Sequence, residues 1–253
     1  MILTLSLWAA LAAPATPAPD APAYAQCLLA AYPEHLCGAD ADALVWCDGT
    51  RMPWRTRPAG PLDEAALDQA DLHDQMATPY PVGPWTPPPV GDPGRARSQA
   101  FFEKLYGASA AAVAARTVKV AWPGGQRLRV STVAGAHRAL AQVAAELAAL
   151  PKRFHRFFDV SAGTFVWRHI KGTQRLSMHS FALAIDVAVK HAHYWRWAKP
   201  DAQGNRPYRN DFPPEVVQAF ERRGFIWGGK WAHFDTMHFE YRPELLHPAC
   251  AGR

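Results

Sequence analysis

The segment Ser177-Met-His179-Ser-Phe-Ala-Leu-Ala-Ile-Asp186 sets an imidazole and a carboxylate seven residues apart, leading into a β-branched run. Both side chains are good zinc ligands. Further on, Gly224-Phe-Ile-Trp-Gly-Gly-Lys-Trp-Ala-His-Phe-Asp235-Thr-Met-His238-Phe-Glu240-Tyr241 supplies a second imidazole, with one carboxylate three residues before it and another two residues after it. Two neutral histidines and one carboxylate leave a four-coordinate zinc with a position open to water, the pattern of catalytic rather than structural sites. A metal held this way makes hydroxide available near neutral pH and polarises a carbonyl under attack, so the chemistry implied is hydrolysis. Asp235, on the turn before the strand that His238 opens, lies where a general base belongs. Glu240 shares a strand face with His238 and is expected to brace that ligand through a hydrogen bond.

These groups need elements to hold them. On a strand beginning at Ala184, the period of two puts Asp186 between Ala184 and Ala188 on one face, leaving room for an ion, with Ile185, Val187 and Val189 on the other. The odd spacing places His179 on a bend before that strand. Short strands are expected at 164–168, 184–189 and 237–241, and a helix at 214–223 closed by Gly224. Upstream, alternating runs on either side of Pro123-Gly124-Gly125 predict a hairpin, and the Ala-rich stretch 133–150, stopped by Pro151, predicts a helix. Residues 62–76 carry apolar and acidic residues at helical spacing. The fold class is therefore α+β, a small antiparallel sheet with flanking helices and an N-terminal extension.

The pattern SxHxxGxAxD, followed by a Trp- and Gly-containing segment and DxxHFE, resembles the M15 zinc peptidases over roughly residues 150–245. That family includes D-alanyl-D-alanine carboxypeptidases and dipeptidases and L-alanyl-D-glutamate endopeptidases. Asp rather than Glu ahead of the last ligand is most similar to the endopeptidase-like subgroup, subfamily C of that family. The resemblance implies a hedgehog/D-Ala-D-Ala peptidase-like fold and one Zn2+ per chain on His179, Asp186 and His238, with Asp235 as base. It also implies that Ser177 orients the first ligand and that Arg168 contacts a substrate carbonyl or carboxylate. Where the family usually has glycine this chain has Ala182, so a positive φ is not expected there.

The rest of the chain bounds the setting. With 253 residues, 49% of them apolar, it can bury a full core. A net charge of +5 favours an anionic partner such as wall polymer and makes no case for nucleic acid. The opening MILTLSLWAALAA is too short to span a bilayer comfortably, and Ala23-Tyr24-Ala25 offers a small-x-small cleavage site. Residues 1–25 thus read as a signal peptide, giving a secreted or periplasmic protein with no stable membrane insertion once it is removed. In an oxidising compartment Cys27, Cys37, Cys47 and Cys250 should form two disulfides, with all three connectivities open.

The Pro-rich stretch 80–93 reads as a semi-rigid connector, dividing a Cys- and Pro-rich region at 26–93 from a peptidase domain at 94–253. Lys152, Arg153, Arg156, Arg168, Lys171 and Arg175 form a basic stretch suited to anionic peptides, and Arg175 is the alternative to Arg168 as oxyanion or carboxylate binder. Of Trp195, Trp197, Trp227 and Trp231, only Trp231 is expected near substrate, and His191, His193 and His233 are expected in loops or supporting roles. The function this supports is hydrolysis of peptidoglycan stem peptides, as endopeptidase or D,D-carboxypeptidase. The alternative is a non-catalytic zinc-containing wall-binding or signalling module.

Overall fold

A computed structural model of the chain describes residues 14–204 and 206–250. The apolar run 1–13, the greater part of the expected signal peptide, lies outside the described residues. Helix α1 (Ala25–Ala31) leads into a three-stranded antiparallel sheet of β1 (Leu36–Ala39), β2 (Ala43–Trp46) and β3 (Arg51–Pro53). Residues 62–76 form not one helix but two short ones, α2 (Glu64–Leu67) and α3 (Leu72–Ala77). The break has a local cause. Asp63 and Asp71 each cap a new N-terminus, Asp71 in a reciprocal capping box with Asp74, and so satisfy the first amides of each helix.

Helices α4 (Gln99–Tyr106) and α5 (Ala110–Ala115) precede the expected hairpin, β4 (Thr117–Ala121) paired with β5 (Arg127–Ser131). The Ala-rich helix α6 (Ala136–Ala148) starts later than its composition predicts, because Ala134 and Gly135 turn at φ 50° and 75°. The second sheet follows: β6 (Ser161–Gly163), β7 (Ala184–Val187), helix α7 (Pro214–Glu221), β8 (Phe225–Trp227), β9 (His238–Tyr241) and a last helix, α8 (Pro243–Leu246). Its order is β6-β7-β9-β8, antiparallel throughout, with β7 and β9 in the centre. Two strand expectations shift. Residues 161–163, not 164–168, pair with β7, and β7 ends at Val187 because Ala188 turns at φ 48°.

One face of this sheet is apolar. Phe220 of α7 stacks on Phe239 of β9 with ring centroids 3.8 Å apart, and Trp227 and Phe212 pack around them. Burial of each such ring contributes about 3 kcal/mol. The same buried cluster continues through residues on both sides of Pro93, from Tyr24 to Cys250.

The Pro-rich stretch is bonded along the sheet edge as a strap. Tyr80, fully buried, donates from its hydroxyl to Glu221 (2.7 Å) and accepts from the Trp227 amide (3.0 Å). Lys230, also buried, donates to the carbonyls of Pro81 and Gly83 and to Glu221. Trp231 Nε1 donates to the carbonyl of Pro93. A buried ammonium is tolerated only with such a complete set of acceptors, and loss of one partner of a buried pair costs about 3–5 kcal/mol.

Two features of this architecture are open to direct test. The cysteines pair as Cys27–Cys250 and Cys37–Cys47, so one bridge clamps α1 to the C-terminal end across 223 residues and the other closes a hairpin of 10. Because loop-closure entropy grows with loop length, replacing Cys27 and Cys250 by serine is expected to lower stability by about 4 kcal/mol, and more than replacing the other pair. Chemical denaturation of the two double variants compares them directly. Ala182 sits at φ 55°, contrary to the expectation drawn from its methyl group. The turn over Met178–Phe181 has to be closed there, with the Ala182 amide bonded back to Met178 and His179. The left-handed conformation costs alanine about 1–2 kcal/mol. Ala182→Gly is therefore expected to leave stability unchanged or raise it by up to about 1 kcal/mol, since glycine's greater unfolded-state entropy offsets part of the relief. Ala182→Val, β-branched and buried, should lose more than about 2 kcal/mol by thermal unfolding.

Candidate metal centre and its cleft

The pairing of β7 with β9 sets Asp186 directly opposite His238 and Ala184 opposite Glu240. His179 reaches them from the 3-10 turn Met178–Phe181 just ahead of β7, which is how an odd spacing brings it to the same face. One ligand atom from each of His179, Asp186 and His238 lies within 4.8 Å of the others. Asp186 bridges the pair: its Oδ1 is 2.8 Å from His238 Nδ1 and its Oδ2 is 3.1 Å from His179 Nε2.

The donor set fits zinc. Tetrahedral bonds of about 2.0–2.1 Å space ligand atoms about 3.4 Å apart, close to the separations found here. His179 Nε2 is buried yet makes no hydrogen bond of acceptable geometry, which leaves a buried lone pair or N–H aimed into the cluster. The local field also favours a cation. Burial opposes charge on His238, but Asp186 and Glu240 overcome it and raise the imidazole to about 10. Burial likewise opposes ionisation of Asp186, and the two histidines reverse this and hold its carboxyl far below the usual range.

Each remaining predicted residue has a definite place. Ser177 Oγ accepts from the backbone amide of His179 at 3.4 Å, capping the turn that carries the ligand. Glu240 is fully buried and accepts from His238 Nε2 at 2.9 Å, so the imidazole presents Nδ1 to the metal position. Asp235 is half-buried beside the cluster, and its Oδ1 is buried without a hydrogen-bond partner. Burial pushes its carboxyl up to about 7, opposed by His238 and assisted by Asp186 and Glu240. Its turn depends on the Trp-Gly-Gly segment: a Cβ on Gly228 would stand 2.6 Å from the Asp235 carbonyl, and one on Gly229 would stand 2.2 Å from the Trp227 ring. Arg168 lines the cleft with an exposed side chain. Its amide donates to Ser180 Oγ and its carbonyl accepts from the Ser177 amide, so the segment bearing it is stitched to the metal turn.

The cleft above these residues measures about 330 Å³. Of the basic stretch, only Arg168, Lys171 and Arg175 line it, whereas Arg153 and Arg156 lie over the rings of Phe154 and Phe157. Arg175 is drawn to the N-terminal region, 2.8 Å from Glu64 and 3.0 Å from Asp68. The tryptophan expectation was too narrow. Trp195 and Trp197 border the cleft with Trp231, which is itself buried in the core as Trp227 is. His233 borders it too, with Nδ1 2.7 Å from Asp92, while His191 packs on Phe157 and His193 pairs with Asp211.

Sequence reasoning missed Arg95, Arg97 and Ser180. Arg95 and Arg97 line the cleft from just beyond the strap, far from the motifs. No local signal marks them, because their role arises from long-range packing. Ser180, between His179 and Asp186, was visible only as a small polar residue.

Comparison with known proteins bears on this segment of the chain. Residues 171–241 match the family model described as D-alanyl-D-alanine carboxypeptidase, one of the M15 peptidase models. No curated protein and no solved structure matches the chain. The matched residues contain His179, Asp186, Asp235 and His238, and the site-bearing segment of this chain is thus that of an M15 family peptidase.

Proposed function

We propose that this chain is a zinc-dependent peptidase that hydrolyses peptidoglycan stem peptides, as an endopeptidase or a D,D-carboxypeptidase. The observation that carries the reading is the convergence of His179, Asp186 and His238 on the cleft floor beside the unpartnered, buried carboxylate oxygen of Asp235. His179 Nε2, an Asp186 oxygen and His238 Nδ1 would hold the ion. Bound there, zinc supplies a water of lowered pKa and polarises the scissile carbonyl.

The chain's own residues do the rest. Asp235 accepts the proton of the attacking water at its unpartnered Oδ1 and passes it to the departing amine. Its dry surroundings raise its basicity relative to an exposed carboxylate. Arg168, free of any ion pair holding it elsewhere among the described residues, donates to the oxyanion or to a substrate carboxylate. Arg168, Lys171 and Arg196 on the cleft wall favour anionic peptides, whereas Arg95 is paired with Glu64 and Asp92. Asp at position 235 supports the endopeptidase-like subgroup, and the small sheet carrying the ligands on neighbouring strands supports the hedgehog/D-Ala-D-Ala peptidase-like architecture. Two disulfides support export to an oxidising compartment, and no helix among the described residues is long and apolar enough to cross a membrane.

Mass spectrometry of muropeptide digests tests the proposal. Zinc-loaded protein is expected to release peptide fragments whose masses identify the bond cut, and Asp235→Ala should slow release by about 10²–10⁴-fold. Binding of muropeptides without fragment release would instead establish the non-catalytic module. Equal rates for the wild type and Asp235→Ala would remove the assigned base.

A further inference from the structure

Glu240 can hold His238 in one tautomer only if its own carboxylate is fixed, and the residue that fixes it comes from outside the matched segment. Arg97 lies between the strap and α4, with its side chain 9% exposed. Its guanidinium grips both oxygens of Glu240, Nε to Oε2 at 3.2 Å and the terminal Nη2 to Oε1. The remaining nitrogen donates to the carbonyl of Arg95 at 3.2 Å, and the guanidinium lies 5.8 Å from the centre of the Trp231 ring. All three nitrogens are therefore engaged, in the planar two-pronged geometry that arginine offers and lysine does not.

Other contacts place Arg97 rather than compete with it. Arg242 stands farther from Glu240, at 3.6 Å, and spends its closer contacts on Glu244 (2.6 Å) and the Gly94 carbonyl (2.9 Å). The segment bearing Arg97 is tied down by Gln75, whose Oε1 accepts from the Ser98 amide and whose Nε2 donates to Glu244. Across β7, only the methyl of Ala184 faces Glu240, so no side chain from that strand takes the place of the arginine.

We infer that Arg97 is a positioning residue for the metal centre: by clamping Glu240 it fixes the acceptor for His238 Nε2–H and so keeps Nδ1 directed at the ion. The inference rests on the zinc reading above. It makes a part of the chain outside the matched residues 171–241 a working component of the centre. Partners of this kind are worth about 10–100-fold in metal affinity.

The test measures zinc affinity of the full chain by chelator competition, with nitrogen-15 shifts of His238 in the zinc-loaded protein reporting which ring nitrogen binds the ion. Circular dichroism confirms folding of each variant. Arg97→Met is expected to weaken zinc binding about 10–100-fold and to mix Nδ1 and Nε2 ligation by His238, with Arg97→Lys intermediate because it keeps the charge but loses the fork. Glu240→Gln should cost a similar factor, and the double variant little more than either single one, since both act through one hydrogen bond. Should Arg97→Met fail to fold, Arg97→Lys and Glu240→Gln carry the comparison. A folded Arg97 variant that binds zinc within about threefold of the wild type, with ligation through His238 Nδ1 unchanged, overturns the inference alone. A wild type without zinc affinity overturns the zinc reading and the inference together.

Discussion

The site depends on one strand pairing. Antiparallel β7 and β9 bring Asp186 across from His238, and Cβ atoms of directly opposed residues lie about 4.5–5.5 Å apart. That separation is small enough for a carboxylate and an imidazole to share an ion. Because strand side chains alternate, a slip of one residue would send Asp186 and His238 into the apolar layer and bring Ile185 and Phe239 out. The register is defended on the far face by the stacking of Phe239 on Phe220 and by Trp227. The hydrophobic core and the polar site are thus two faces of the same constraint.

Around that pairing the polar face is organised as a chain of charges in a dry environment. His238 contacts Asp186 and Glu240, Glu240 contacts Arg97 and Arg242, and Arg242 contacts Glu244, which also accepts from Tyr32. Each member would be costly alone and is tolerated because its neighbour satisfies it. Residues before the strap enter this chain through Tyr32 and Gln75, and Arg97 joins it from just beyond. This accounts for a Pro-rich segment bonded along the sheet edge instead of spanning open solvent: its carbonyls hold Lys230, and its far end delivers Arg97 to Glu240.

The sequence made the candidate His/Asp/His group legible because its chemistry and strand phase are local properties. His179, Asp186 and His238 converge as that reasoning required, and the hairpin about Pro123-Gly124-Gly125 and helix α7 stand where turn and periodicity signals put them. What was not legible is non-local or conformational. Composition gives no sign that Arg97 reaches Glu240 across 143 positions of sequence. Ala182 misled because the need to close the turn after Met178–Phe181 outweighs the cost of a methyl group at positive φ. The helix at 62–76 was divided by Asp71, whose capping preference competes with its place in an apolar period. The cysteine count fixed how many bridges to expect and was silent on which pairs the fold would bring together.

Zinc-edge X-ray absorption on the full chain loaded with one equivalent of zinc is the most direct test that His179, Asp186 and His238 form the metal centre. The expected spectrum is that of a four-coordinate site with two imidazole nitrogens and two oxygens at about 2.0–2.2 Å, one oxygen from Asp186 and one from solvent, with an imidazole signal that halves in His179→Ala. Zinc bound through sulfur, or a spectrum unchanged by that substitution, would contradict it.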